Sequence, residues 1–152
     1  MAELARPLNA DMVIGLPTLG QVFAQGIVAR LGHARTVPLG YSRKFWYEER
    51  LSVELRSLTT PDGGKRAFLD PNQLPLIQGR RVAVVDDAAS TGSTLAGVLP
   101  FLESLGVEVA GVVVAMLQGS RWRDTLGARA GLVQGVYTCP RLVLRDDGWY
   151  PE

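Results

Sequence analysis

The chain has 152 residues, 47% of them apolar and 20% charged, which is the composition of one globular domain with a core of its own. Its formal net charge of +1 gives no electrostatic footprint for nucleic acid or an anionic membrane surface. Cys139 is the single cysteine, so an internal disulfide is excluded and a cytoplasmic protein is expected, and no apolar run approaches the roughly 18 residues of a membrane helix.

In chain order, residues 11–15 (DMVIG) predict a short strand that ends in glycine. Residues 18–31 place Leu19, Val22, Phe23, Ile27, Val28 and Leu31 near helical spacing, and Gly32 closes the helix. Residues 35–41 (RTVPLGY) predict a second strand. Residues 45–70 are aromatic and charged around a Thr-Pro-Asp-Gly-Gly turn signal at 60–64, with 52–59 and 65–69 as the arms of a hairpin. Residues 81–85 form a continuous apolar strand of the kind buried on both faces. A helix over 94–105 puts Leu95, Val98, Leu99 and Leu102 on one side and ends at Gly106. A buried strand over 107–117, a short helix over 122–126 and a fifth strand over 131–136 follow. Strands separated by helices imply a parallel sheet with right-handed crossovers, whose ligands sit at the carboxyl ends of the strands.

At such an end the sequence reads VAVVDDAASTGST, residues 82–94. Small residues between a strand and a helix N-terminus let backbone N–H groups approach an anion, phosphate above all. Ser90, Thr91, Ser93 and Thr94 add hydroxyl donors, and Gly92 permits backbone angles that other residues resist. Asp86 and Asp87 would repel a phosphate, so they need another target. A vicinal diol fits, because carboxylates accept strong charge-assisted bonds from hydroxyls. Diol beside phosphate means a ribose 5-phosphate. A strand end followed by a capped helix would not need a second aspartate or so many hydroxyls.

The stretch closely resembles the phosphoribosyl-pyrophosphate signature of the type I phosphoribosyltransferases: four hydrophobic residues, two acids, a variable stretch, then Thr-Gly-(Gly/Ser)-Thr. The resemblance extends over about residues 11–136, nearest to the adenine, xanthine and orotate branches. It implies a three-layer α/β fold over one domain, 1–152. Within that domain, 1–10 would be the remnant of a hood helix, 41–70 a mobile loop and hairpin, and 137–152 a hood-like tail. Only ten residues precede Asp11, so either the hood is reduced or the chain starts inside a longer reading frame.

The implied reaction displaces pyrophosphate from C1 of phosphoribosyl pyrophosphate by a nitrogen of a base, a purine rather than a pyrimidine, through an oxocarbenium-like transition state. Positioning and leaving-group stabilisation then carry catalysis, without a protein nucleophile. Mg²⁺, held mainly by substrate phosphates and water, is the implied cofactor. Asp86 and Asp87 would hold the ribose hydroxyls, a water of the metal, or both. Ala88, Ala89, Ser90, Thr91, Gly92, Ser93 and Thr94 would take the 5-phosphate. Pro17, Thr18, Leu19 and Gly20, with Arg43 and Lys44, would face pyrophosphate, the basic pair acting across a homodimer interface. Val136 and Tyr137 would touch the base, with Ala88 and Ala89 as small wall residues. Residues 45–55 would form a lid, with Trp46 and Tyr47 either stacking on the base or packing in the core. The alternative is a family member that binds the ligand without chemistry, as a regulator or degenerate subunit; Leu19, where many relatives have a basic residue, is its support.

Overall fold

The computed structural model describes residues 1–55 and 65–151. In chain order the elements are α1 (Ala2–Ala5), β1 (Met12–Gly15), α2 (Gly20–Leu31), β2 (Val37–Pro38), β3 (Ser52–Leu55), β4 (Lys65–Phe68), β5 (Arg81–Ala89), α3 (Ser93–Ser104), β6 (Glu108–Gln118), α4 (Arg121–Leu126), β7 (Val133–Cys139), β8 (Leu142–Arg145) and β9 (Gly148–Pro151). Five strands form one parallel sheet in the order β2-β1-β5-β6-β7. Counted along the chain, that is the 2-1-3-4-5 order of a doubly wound sheet, and its order reverses between β1 and β5.

Alternation along the buried strands builds two apolar layers. Val82, Val84, Val112 and Val114 face α3 and meet Leu95, Val98, Leu99 and Leu102. Val13, Ala83, Val85 and Val113 face the other way, towards Ala24, Ile27 and Val28 of α2 and Ala2 and Ala5 of α1. Both faces of the central strands are covered, which is why their sequences read as apolar runs rather than as alternation. Gly32 at φ 80 ends α2, its N–H bonded to the Val28 carbonyl.

Four expectations change. The second strand shrinks to Val37–Pro38, an edge strand whose proline cannot extend the ladder. The strand expected over 81–85 runs on to Ala89, because β6 keeps pairing with it: Asp86 lies opposite Val114 and Ala89 opposite Leu117. Of the segment 45–55 expected as a lid, Ser52–Leu55 is strand, and Leu51 and Leu55 are core residues. Trp46 donates to the Asp70 carboxylate at 3.3 Å, and the Tyr47 and Phe68 rings lie 6.0 Å apart. Of the expected tail, the described residues 137–151 are the end of β7 and an antiparallel hairpin, β8–β9. Asp147-Gly148 between two apolar runs was its hairpin signal. The hairpin arms β3 and β4 pair in antiparallel register as expected, while the turn at 60–64 and the arm residues 56–59 fall outside the described residues.

Candidate active site

The site stands where the sheet reverses order. β1 stops at Gly15, opposite Val85, whereas β5 continues into Asp86. A crevice therefore opens beside the acids at the carboxyl edge. The loop over 15–20 folds back across it: the Leu16 N–H bonds to the Val85 carbonyl at 2.9 Å. At Gly20 the approach is close enough to forbid a side chain, because a Cβ there would lie 2.6 Å from the Val85 oxygen and 2.8 Å from Asp86 Cα. The Pro17–Thr18 peptide is cis. The Tyr41 hydroxyl donates to the Pro17 carbonyl at 2.9 Å and so holds the loop from the opposite side. Sequence reasoning passed over Tyr41; its position one residue before the Ser-Arg-Lys stretch was the only signal.

Asp86 is the only buried polar or charged side chain among the described residues, 7% exposed. Burial pushes its carboxyl up to about 7, and the neighbouring Asp87 carboxylate pushes the same way. The Asp87 N–H, which donates to Asp86 Oδ1 at 2.9 Å, opposes the rise. The same two charges, added to burial, raise the Tyr41 hydroxyl, so Tyr41 lies within their field. A buried acid with a half-buried acid beside it in an open crevice is a functional-site signature, since such a pair costs stability unless a ligand or cation uses it.

Beyond β5, residues 88–95 line a cradle of about 140 Å³ that leads into the first turn of α3. Gly92 sits at φ 78, and a Cβ on it would meet the Trp122 backbone at 3.0 Å. The Thr91 and Ser93 hydroxyls lie 3.0 Å apart, at the mouth of the helix. Ala88 and Ala89, expected in this loop, belong to β5, so the loop proper is Ser90, Thr91 and Gly92. Thr94 follows Ser93 in the first turn of α3.

The remaining candidates have other neighbours in the structure. Arg43 is paired with Glu49 at 3.6 Å, and Lys44 is exposed beside it. Val136 and Tyr137 line a groove of about 490 Å³ with Val22, Phe23 and Arg30 of α2, and none of residues 86–94 borders that groove. Tyr137 pairs with Met116, which pairs with Ala88, so it lies two strands, about 10 Å, from Ala88. Trp122 is buried and donates its indole N–H to the Gly119 carbonyl.

Among the described residues no group of three or more His, Cys, Asp or Glu side chains could enclose a cation. Asp86 and Asp87 alone form a donor set of two carboxylates. That set fits Mg²⁺ as it is commonly held, by one or two carboxylates with waters and substrate phosphates supplying the rest.

Strand order, acid pair and the cradle at the mouth of α3 define a doubly wound α/β protein with a candidate site at its switch point. The family model for the Phosphoribosyl transferase domain matches residues 2–128, and the chain belongs to that family. The chain is 34% identical over 115 residues to an adenine phosphoribosyltransferase of Symbiobacterium thermophilum, which covers 75% of this chain and 63% of the relative. It is 31% identical over 119 residues to a hypoxanthine/guanine phosphoribosyltransferase of Methanosarcina mazei, covering 78% and 58%. The chain thus spans about three fifths of the length of these curated relatives. The crystal structure of adenine phosphoribosyltransferase from Thermoanaerobacter pseudethanolicus has the same fold, with a TM-score of 0.72 at 23% identity over 90% of this chain and 77% of that one.

Proposed function

We propose that this protein transfers the phosphoribosyl group of phosphoribosyl pyrophosphate to a ring nitrogen of a purine base. In this reading the nitrogen forms a bond to C1 as the bond from C1 to the pyrophosphate oxygen breaks. Pyrophosphate leaves with the electron pair, and the proton on the attacking nitrogen passes to solvent. The observation that carries the reading is the buried Asp86 beside Asp87 at the reversal of strand order, with a docked loop on one side and a phosphate cradle on the other.

Each part has a role. The cradle of Ser90 to Thr94 holds the 5-phosphate through backbone N–H groups and hydroxyls. Asp86 and Asp87 accept bonds from the ribose hydroxyls, and their negative charge favours the cation that develops at C1. The loop over 15–20 presents N–H groups to pyrophosphate, steadied by Tyr41. Asp86 and Asp87 would hold Mg²⁺ through its waters, with substrate phosphates as its main ligands, and the metal would supply neutralising charge to the leaving group. For Arg43 to reach pyrophosphate, its pairing with Glu49 must open. We also assign the protein to the cytoplasm and to a homodimer, for which the exposed Leu19, Val22 and Phe23 are the support.

The test is a panel of purine and pyrimidine bases incubated with the protein, Mg²⁺ and phosphoribosyl pyrophosphate, with pyrophosphate release as the readout. Release with at least one purine is expected. Tight binding of phosphoribosyl pyrophosphate with no release for any base overturns the enzyme in favour of a regulatory family member.

A further inference from the structure

Twelve large apolar side chains are exposed among the described residues, and eight of them fall into two patches, so this exposure is concentrated rather than scattered. One patch is the groove of about 490 Å³ between α2, the first residues of the chain and β7, where Val22, Phe23, Val136 and Tyr137 stand open. The other is the β8–β9 hairpin, where Leu142, Leu144, Trp149 and Tyr150 stand open.

The hairpin does not stabilise itself. Among the described residues its strands pair only with each other, and none of residues 141–151 is buried. A two-stranded hairpin is marginal in water unless a further strand joins it or a helix covers one face. Register decides which face is bare. Leu142 pairs with Pro151 and Leu144 with Trp149, so these four side chains share one face, whose only polar group is the indole N–H. Val143, Arg145 and Tyr150 share the other face, which carries its own cover. There the Arg145 guanidinium lies 5.2 Å from the Tyr150 ring centre, and the Tyr150 hydroxyl donates to Asp147 at 2.8 Å.

Charge distinguishes the two patches. In the groove Glu3 is engaged by Arg6 at 3.2 Å, whereas Arg30 makes no ion pair among the described residues. At the hairpin turn Asp146 and Asp147 are adjacent, and the Asp146 carboxylate has no hydrogen-bond or ion-pair partner among the described residues.

We propose that the hairpin of one copy of this chain lays its Leu144–Trp149 face into the α2–β7 groove of a second copy, with Asp146 against Arg30, and that the second copy returns the contact. Apolar face meets apolar groove, free carboxylate meets free guanidinium, and α2 becomes the helix that the hairpin lacks. Area selects the reciprocal form. Four residues of strand extend only about 13 Å. One such contact falls short of the roughly 1,200 Å² that stable interfaces bury, and a twofold pair doubles it. This exchange gives the homodimer assigned above its contact and does not depend on phosphoribosyl transfer.

Sedimentation velocity over a range of protein concentrations tests the exchange, with circular dichroism to confirm that each variant is folded. The parent should be a dimer. Trp149→Ser and Leu144→Asp on the hairpin, and Phe23→Asp in the groove, all at exposed positions, should each raise the dissociation constant about tenfold or more. Arg30→Glu and Asp146→Arg should each weaken the dimer, and the two reversals in one chain should return its dissociation constant towards the parent's, a recovery that damage to the fold would not give. A double reversal no tighter than the single variants overturns the docking. A dimer that no hairpin substitution weakens overturns the exchange and leaves the homodimer standing. A ladder of higher oligomers also overturns it, because one-way docking does not close. A monomeric parent sinks homodimer and exchange together. No ligand enters these measurements, so a failed pyrophosphate-release panel is a separate result.

Discussion

Tyr41 and Pro17 are joined by a 2.9 Å hydrogen bond from a side-chain hydroxyl to a loop carbonyl, 24 residues apart in the chain. The bond matters because of what it turns. With its carbonyl held by Tyr41, the loop over 15–20 is fixed relative to the acids. Tyr41→Phe keeps the ring, and with it the contact to Lys65, whose ammonium lies 5.4 Å from the ring centre. The loss of one such bond costs about 0.5–1.5 kcal/mol, or about two- to tenfold in affinity. Phosphoribosyl pyrophosphate should bind more weakly by that factor, and ribose 5-phosphate, which lacks the pyrophosphate, should be unaffected. Calorimetry with both ligands makes the comparison, and equal losses would deny the loop its role.

Two glycines of α2, one at its start and one in its interior, should respond oppositely to alanine. Gly20→Ala drives a Cβ into the Val85 carbonyl and Asp86 Cα, and overpacking of this kind costs about 1–3 kcal/mol. Gly26 lies inside α2 with nothing within 4 Å of an added Cβ, so Gly26→Ala should stabilise by about 0.5–1 kcal/mol. Urea midpoints of the two variants should straddle that of the parent.

Asp86 ties stability to pH. Its carboxyl rises from 3.8 in the unfolded reference to about 7 in the fold, so the folded state holds the proton more tightly. Stability is therefore highest below the unfolded value, falls as pH rises between about 4 and about 7, and is level above that window. The contribution is on the order of 4 kcal/mol across the window. Asp86→Asn should remove this fall, so the stability difference between variant and parent should widen from pH 4 to pH 7. A difference that stays constant over that range would show that Asp86 titrates normally.

Asp87→Asn separates binding from chemistry. It keeps the shape of the site and removes one charge near the ribose, at about 1.5–3 kcal/mol for a charge-assisted bond. Ten- to hundredfold lower kcat/KM is the expected order, with ribose 5-phosphate still raising the melting temperature. Gly92→Val, by contrast, places a branched side chain at φ 78 against the Trp122 backbone. It should lower stability before any ligand is added, as thermal melting of the unliganded protein would record.

The stretch from Val82 to Thr94 carried most of what the sequence could say about function, because its acids, glycine and hydroxyls each answer to a different part of one ligand. The buried strands were equally plain, since Val82 to Val85 and Val112 to Val114 have no polar residue to accommodate. What stayed hidden depends on tertiary placement. Nothing local says that β6 would pair β5 beyond Asp86, drawing Ala88 and Ala89 into the sheet. Tyr41 reads as a strand residue until Pro17 is seen opposite it. Val136 lies in the expected strand and Tyr137 in its continuation, but the groove beside them is lined by α2 and the first residues of the chain.

The register of β1 on β5 has a consequence for how this molecule acquires its activity. Met12 pairs with Val82, and the Arg81 N–H reaches the Asp11 carboxylate across 70 residues. Every other pairing in the sheet joins segments nearer in sequence. The crevice that holds the acids exists only once this most distant closure has been made, a step whose entropy cost grows with the length of chain enclosed. A chain with β5, β6 and β7 assembled but β1 undocked would have a sheet, a core and a phosphate cradle, yet no pyrophosphate loop beside Asp86. On the proposed reading, phosphoribosyl pyrophosphate distinguishes the finished topology, in nascent or refolding chains, from one in which only β5, β6 and β7 have assembled.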